Sequence, residues 1–153
     1  MCRVGHSFVK AQMRESGAIF AGELSGHTYF RFSEQLVADD GIAAFVALLD
    51  VLAAEGRKLS EIVAPLRRYF ASGEINRRVR DTQSVLEQVE RAHAAAPEIS
   101  HLDGLLVRYA DWWFNLRPSN TEPVLRLNLE AGSEARMQQE RDRILALVES
   151  AGA

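Results

Sequence analysis

The chain has 153 residues, 47% hydrophobic and 25% charged, which is ordinary globular usage and excludes a disordered chain. That length suits one domain, or a small domain with part of another. The formal net charge of −3 gives no general attraction to nucleic acid, so any anion site has to be a local arrangement of arginines.

In chain order, the opening run Val4-Gly5-His6-Ser7-Phe8-Val9-Lys10 ends in a lysine that reads as solvated. Two strand-like runs follow, Ala18–Ala21 and Thr28–Phe32, and between them lies Gly22-Glu23-Leu24-Ser25-Gly26-His27. The flanking glycines let the chain approach a ligand closely. Glu23, Ser25 and His27 present an acceptor, a hydroxyl and a titratable ring, and an ionised carboxylate can accept several hydrogen bonds from paired sugar hydroxyls. The acidic cluster Asp39-Asp40-Gly41 reads as a helix start and not as a metal loop, with Asp39 or Asp40 as cap. Ile42, Phe45, Val46, Leu49 and Leu52 then recur at helical spacing, and Gly56 supplies a stop. The chain divides near Arg57–Ser60, giving parts 1–58 and 59–153; the first has too few strands to close a core of its own.

In the second part Ser60 is expected to cap a helix continuing over Glu61–Phe70, despite Pro65 within it. A strand over Glu74–Val79 precedes a helix that starts at Asp81 or Thr82, buries Val85, Leu86, Val89 and Ala92, and ends at Pro97. Three strand candidates follow: Leu105–Tyr109, Trp112–Leu116 and Val124–Leu129. Trp112, Phe114 and Leu116 alternate with Trp113, Asn115 and Arg117, so one tryptophan is core and the other half-exposed. Ser133 caps a last helix with Met137, Ile144, Leu145 and Val148 inward. Four mainly antiparallel strands with two long helices on one face make a two-layer α+β sandwich. Arg77, Arg78 and Arg80 read as a solvated strand edge, and His93 and His101 receive no role.

After the second tryptophan strand comes Arg117-Pro118-Ser119-Asn120-Thr121-Glu122-Pro123. Arginine offers a planar fork of donors that suits phosphate oxygens. Ser119 and Thr121 add hydroxyls, and consecutive turn amides can form an anion nest. A plain turn is the competing reading, since Pro beside Ser and Asn is common turn chemistry.

The two loops together resemble the α-D-phosphohexomutases, the family of phosphomannomutase and phosphoglucomutase. Its sugar loop reads Gly-Glu-x-Ser-Gly-His and its phosphate loop Arg-x-Ser-Asn/Gly-Thr-x-Pro; the segment from Val4 to Lys10 is similar to one lying against the sugar. The resemblance implies a C-terminal fragment: the later part of an α/β third domain, then a fourth domain like the TATA-binding-protein fold. It implies that Arg117, Ser119, Asn120 and Thr121 grip the phosphate not being transferred. Glu23 and Ser25 would bond the hydroxyls at carbons three and four, and Gly5 and His6 would line the pocket. His27 would help proton transfer, or else bond its own loop backbone; Glu122 need not touch ligand.

The family's phosphoserine loop and its Asp-Gly-Asp-x-Asp-Arg-like magnesium loop do not occur among these residues. Phosphoryl transfer needs a positioned nucleophile and charge neutralisation. The implied activity, interconversion of hexose 6-phosphate and hexose 1-phosphate through a bisphosphorylated sugar, therefore needs the N-terminal domains. Those domains would be partners of this chain, with Mg2+ held by them and glucose or mannose 1,6-bisphosphate as activator and intermediate. Alone, the chain is expected to be inactive. A stand-alone, non-catalytic phosphosugar-binding module is the alternative. Leu24, between the contact residues, leans towards phosphomannomutase with accompanying phosphoglucomutase activity. The C-terminal domain would swing on Arg57–Ser60 to close over substrate. The single cysteine, Cys2, excludes an internal disulfide, and the four histidines are scattered and not at zinc-ligand spacing. There is no membrane-length apolar run and no signal-peptide core, so the expected place is the cytoplasm, without membrane or nucleic-acid partners.

Overall fold

A computed structural model describes residues 2–119, 122 and 124–152. The chain falls into two compact units, Met1–Leu66 and Arg67–Ala153, and each is built around its own sheet.

The first unit begins with helix α1 (His6–Ser16), which the sequence reading did not anticipate. Its buried residues are Val9 and Met13, one turn apart, and they form a small core with Tyr29 and Val37. The strands β1 (Phe20–Gly22), β2 (Thr28–Arg31) and β3 (Val37–Asp39) make an antiparallel sheet in that order. Phe20 pairs Phe30, Gly22 pairs Thr28, and Tyr29 pairs Asp39. Since side chains alternate along a strand, Ala21, Tyr29, Val37 and Asp39 share the face that meets α1. The opposite face carries Phe20 and Phe30 in edge-to-face contact at 5.2 Å. β3 was also unforeseen: three residues are too few to show a period.

Helix α2 (Gly41–Glu55) is capped by Asp40, whose carboxylate accepts from the Ile42 and Ala43 amides, both at 2.9 Å. Such a cap contributes about 1 kcal/mol. The helix ends before Gly56, as its sequence position suggests. The predicted apolar face is not buried, however. Ile42, Phe45, Val46 and Leu49 are all exposed, and no residue of α2 is buried.

A short helix α3 (Leu59–Val63) passes into a 3-10 turn over Ala64–Leu66. This corrects the expected helix over Glu61–Phe70. Pro65 cannot donate to a fourth-residue carbonyl, so the helix tightens and stops there. Lys58, not Ser60, occupies the cap position. Phe70 belongs instead to β4 (Phe70–Ala71), paired with Ala131.

The second unit is a two-layer sandwich. β5 (Ile75–Arg78) leads to α4 (Thr82–Ala92), which Asp81 caps through the Gln83 and Ser84 amides. The helix stops at His93, short of Pro97. Then come β6 (Glu98–Ser100), β7 (Leu105–Arg108), β8 (Trp112–Pro118), β9 (Val124–Ala131) and α5 (Glu134–Gly152). The sheet runs β4-β9-β8-β7-β6, with β5 also pairing β9, all antiparallel. The four expected strands are therefore joined by two short edge strands, β4 and β6. Trp112, Phe114, Leu116, Leu125, Leu127 and Leu129 turn inward onto Val85, Val89, Ile144 and Val148 of the two helices. Trp113, Asn115 and Arg117 lie on the other, half-exposed face.

Candidate functional site

In the first unit the hairpin loop between β1 and β2 is closed by its own backbone. The Glu23 amide donates to the His27 carbonyl at 2.9 Å and the Gly26 amide to the Glu23 carbonyl at 3.0 Å. Gly26 has φ of 90°, a conformation that side-chain-bearing residues rarely adopt. The loop turns the Glu23 carboxylate inward over the α1 face of the sheet. There Oε1 accepts from the Gly5 amide at 3.2 Å and the Tyr29 hydroxyl at 3.0 Å, while Oε2 accepts from Ser25 Oγ at 3.1 Å. Gly5 is also the N-cap of α1, so the start of that helix, the loop and the middle strand are tied through one carboxylate. Tyr29 is buried, and its phenol is pushed up to about 12, first by burial and then by its bond to Glu23 and that residue's negative charge. It stays protonated and donates.

Gly5, Glu23 and Ser25 are thus brought together. His6 follows Gly5 as the first residue of α1 and is exposed. The His27 ring bonds neither its own loop backbone nor Glu23: Nδ1 lies 2.7 Å from Asp39 Oδ2.

In the second unit β8 and β9 pair from Trp112↔Ala131 to Pro118↔Leu125, and the Ser119 amide donates to the Val124 carbonyl at 2.9 Å. That register sets Arg117 directly opposite Arg126, both side chains on one face. Like charges directly opposite one another are destabilising, and each is partly offset. Arg117 Nε is 3.5 Å from Asp103, and Arg126 Nη1 is 3.5 Å from Glu74. Arg126 Nη2 also donates to Ser119 Oγ at 3.4 Å, while its buried Nε has no hydrogen-bond partner among the described residues. Asp103 is held in place by a close approach of backbones. Asn115 Nδ2 donates to its carbonyl at 2.9 Å, and a Cβ on neighbouring Gly104 would stand 2.7 Å from the Leu116 carbonyl oxygen. Asn120 and Thr121 lie outside the described residues.

Two family models match the chain. Residues 1–69 match phosphoglucomutase/phosphomannomutase alpha/beta/alpha domain III, and residues 74–147 match the C-terminal domain of the same enzymes. The chain belongs to the phosphoglucomutase/phosphomannomutase family. A phosphomannomutase of Methanocaldococcus jannaschii is 42% identical over 95% of the chain and 32% of its own length. One of Salmonella montevideo is 40% identical over 98% of the chain and 33% of its own length. A crystal structure of a family protein from Burkholderia thailandensis superposes with a TM-score of 0.79 at 33% identity, covering 99% of this chain and 32% of that one. The chain therefore spans about a third of the length of the relatives it matches, and its residues correspond to their domain III and C-terminal domain.

Within this family frame, the first unit offers a preset carboxylate with a hydroxyl beside it, suited to sugar hydroxyls. The second offers two guanidinium forks beside a serine, suited to a dianionic phosphate. Sequence reasoning missed Tyr29, Asp39, Asp103 and Arg126. Arg126 was findable: a hairpin closing at Ser119–Val124 places the ninth residue after Arg117 opposite it. The other three depend on tertiary contacts and had no sequence signal. Among the described residues no group of three or more metal-ligating side chains converges, and the acidic pair is already engaged, Asp39 with His27 and Asp40 as a helix cap. These residues do not fit a magnesium site. Among the described residues, no helix is long and apolar enough to cross a membrane.

Proposed function

We propose that this chain is the hexose- and phosphate-recognising part of a phosphomannomutase that also acts as a phosphoglucomutase. The enzyme interconverts hexose 6-phosphate and hexose 1-phosphate through a phosphoserine and a bisphosphorylated sugar. The phosphoserine and the Mg2+ ligands belong to residues outside these 153, and the chain by itself binds without turning substrate over. Glu23 and Ser25 take the hydroxyls at carbons three and four, with Gly5 and His6 beside them. Arg117, Ser119, Asn120 and Thr121 take the phosphate that is not being transferred, and Arg126 joins them.

The single observation that carries this reading is the cross-strand pair Arg117–Arg126, with Ser119 Oγ accepting from Arg126. Two like charges at one register position, one with a buried donor that has no partner among the described residues, are better satisfied by an anion than by ion pairs at 3.5 Å. Charge-assisted bonds from arginine to phosphate are about twice as strong as neutral ones. Leu24, exposed at the loop tip, is the residue that favours the phosphomannomutase branch.

A substrate that must be accepted in two orientations gives a direct test. Mannose 1-phosphate and mannose 6-phosphate are expected to bind the chain competitively and with affinities within about tenfold, or 1.4 kcal/mol. Neutral mannose is expected to bind far more weakly. Binding of only one isomer would contradict acceptance in two orientations, and equal binding of inorganic phosphate would argue for a plain anion site.

A further inference from the structure

We infer that Asp39 is a positioning residue for His27. It fixes the ring as its Nδ1–H tautomer and leaves Nε2 as the acceptor that takes a proton from a substrate hydroxyl. The substrate part of this inference rests on the hexose-phosphate reading above. The geometry itself does not.

The pairing of Tyr29 with Asp39, extended by the Asp40 amide donating to the Thr28 carbonyl at 3.0 Å, puts His27 and Asp39 diagonally across two neighbouring strands. Diagonal neighbours on one face are within reach of long side chains. His27 Nδ1 stands 2.7 Å from Asp39 Oδ2, the range of a charge-assisted bond. The backbone on both sides is anchored: the His27 carbonyl takes the Glu23 amide, and Asp39 lies in β3. Asp40 is committed to the α2 amides, so the two adjacent carboxylates divide their tasks. A carboxylate only accepts, so the proton of that bond sits on Nδ1. The opposite nitrogen, on a ring 58% exposed and without a partner for Nε2 among the described residues, keeps its lone pair. The other surface histidine in such a pair is reversed: His101 meets Glu90 through Nε2, at 3.3 Å.

In the proposed reaction a sugar hydroxyl attacks the phosphoryl group of the enzyme phosphoserine. Its O–H bond breaks as Nε2–H forms, the serine oxygen leaves with the P–O electron pair, and Asp39 balances the imidazolium.

The test reads tautomers directly and needs no turnover. Long-range 1H–15N spectra of the 153-residue chain, with labelled histidine, are taken at about pH 8.5, where an ordinary imidazole is neutral. His27 should show the Nδ1–H pattern, opposite to that of His101. Asp39→Asn should return His27 towards the Nε2–H form favoured by free histidine, with His93 and His101 signals unmoved, and Asp39→Glu should restore part of the original population. An Nε2–H or doubly protonated His27 in the unsubstituted chain overturns the inference without recourse to any variant, and so does an unchanged tautomer in Asp39→Asn. Failure of mannose phosphates to bind would sink the functional reading separately and leave the tautomer result standing.

Discussion

Arg126 shows how a candidate binding group can be hidden in an alternating strand. By sequence it is one polar residue among leucines; by register it is the partner of Arg117. Removing a charged hydrogen-bond partner costs about 1.5–3 kcal/mol. Arg126→Ala is therefore expected to weaken mannose 1-phosphate binding by about tenfold or more, while leaving the melting temperature of the second unit nearly unchanged because like-charge repulsion is relieved. Titration calorimetry and a thermal melt check the two parts. Gly104 gives the converse case, a structural residue that sets the surroundings of a candidate phosphate-binding one. With φ of 79° and a Cβ contact of 2.7 Å to the Leu116 carbonyl, Gly104→Ala must shift the turn carrying Asp103 away from Arg117. Backbone strain of this kind costs about 1–3 kcal/mol, so a lowered denaturant midpoint is expected. An unchanged midpoint would show that the turn can move freely.

Among the elements, α4 ends on a histidine that ties the helical layer to the sheet. His93 is buried, its Nδ1 lies 2.8 Å from the Tyr109 hydroxyl, and its ring meets Phe114 at 5.0 Å. Burial lowers its pKa, helped by Arg143 and opposed by Glu140. The sign follows from linkage. Above about pH 6.5, the ordinary histidine value, the ring is neutral folded or unfolded and contributes no pH dependence. Below it the unfolded chain takes up a proton that the folded chain resists, so stability falls as pH drops. Urea midpoints measured across this range should show that decline, and His93→Gln should flatten it. The elements that were legible in the sequence are those long enough to show a period, such as β8, β9, α4 and α5, or marked by a cap, such as α2. Those that were not are two- and three-residue strands, β3, β4 and β6, which exist because a neighbouring strand supplies their hydrogen bonds. α1 carries no cap signal in the sequence, since its N-cap is Gly5 and no side chain caps it. Pro65 ends its helix well before the expected Phe70.

Over the full length of the chain, the two units differ in how much they bury. The second holds a contiguous core of buried residues from both layers. The first holds a four-residue core and leaves the apolar residues of α2 exposed. The helix pattern of α2 was legible, whereas its burial was not, because burial depends on what lies against a face and not on the face alone. The candidate site was legible to a similar degree. The motifs located both loops, and Glu23, Ser25 and Gly5 proved to share one network. The supporting groups Tyr29, Asp39 and Asp103 came only with the fold. In the proposed function the Arg117 loop binds the phosphate of a hexose phosphate. Calorimetric titration of mannose 1-phosphate into the chain and into Arg117→Ala tests it most directly. Saturable binding is expected, weakened by about tenfold or more in Arg117→Ala, the equivalent of losing a charged hydrogen bond. Equal binding by both chains, or none by either, would contradict it.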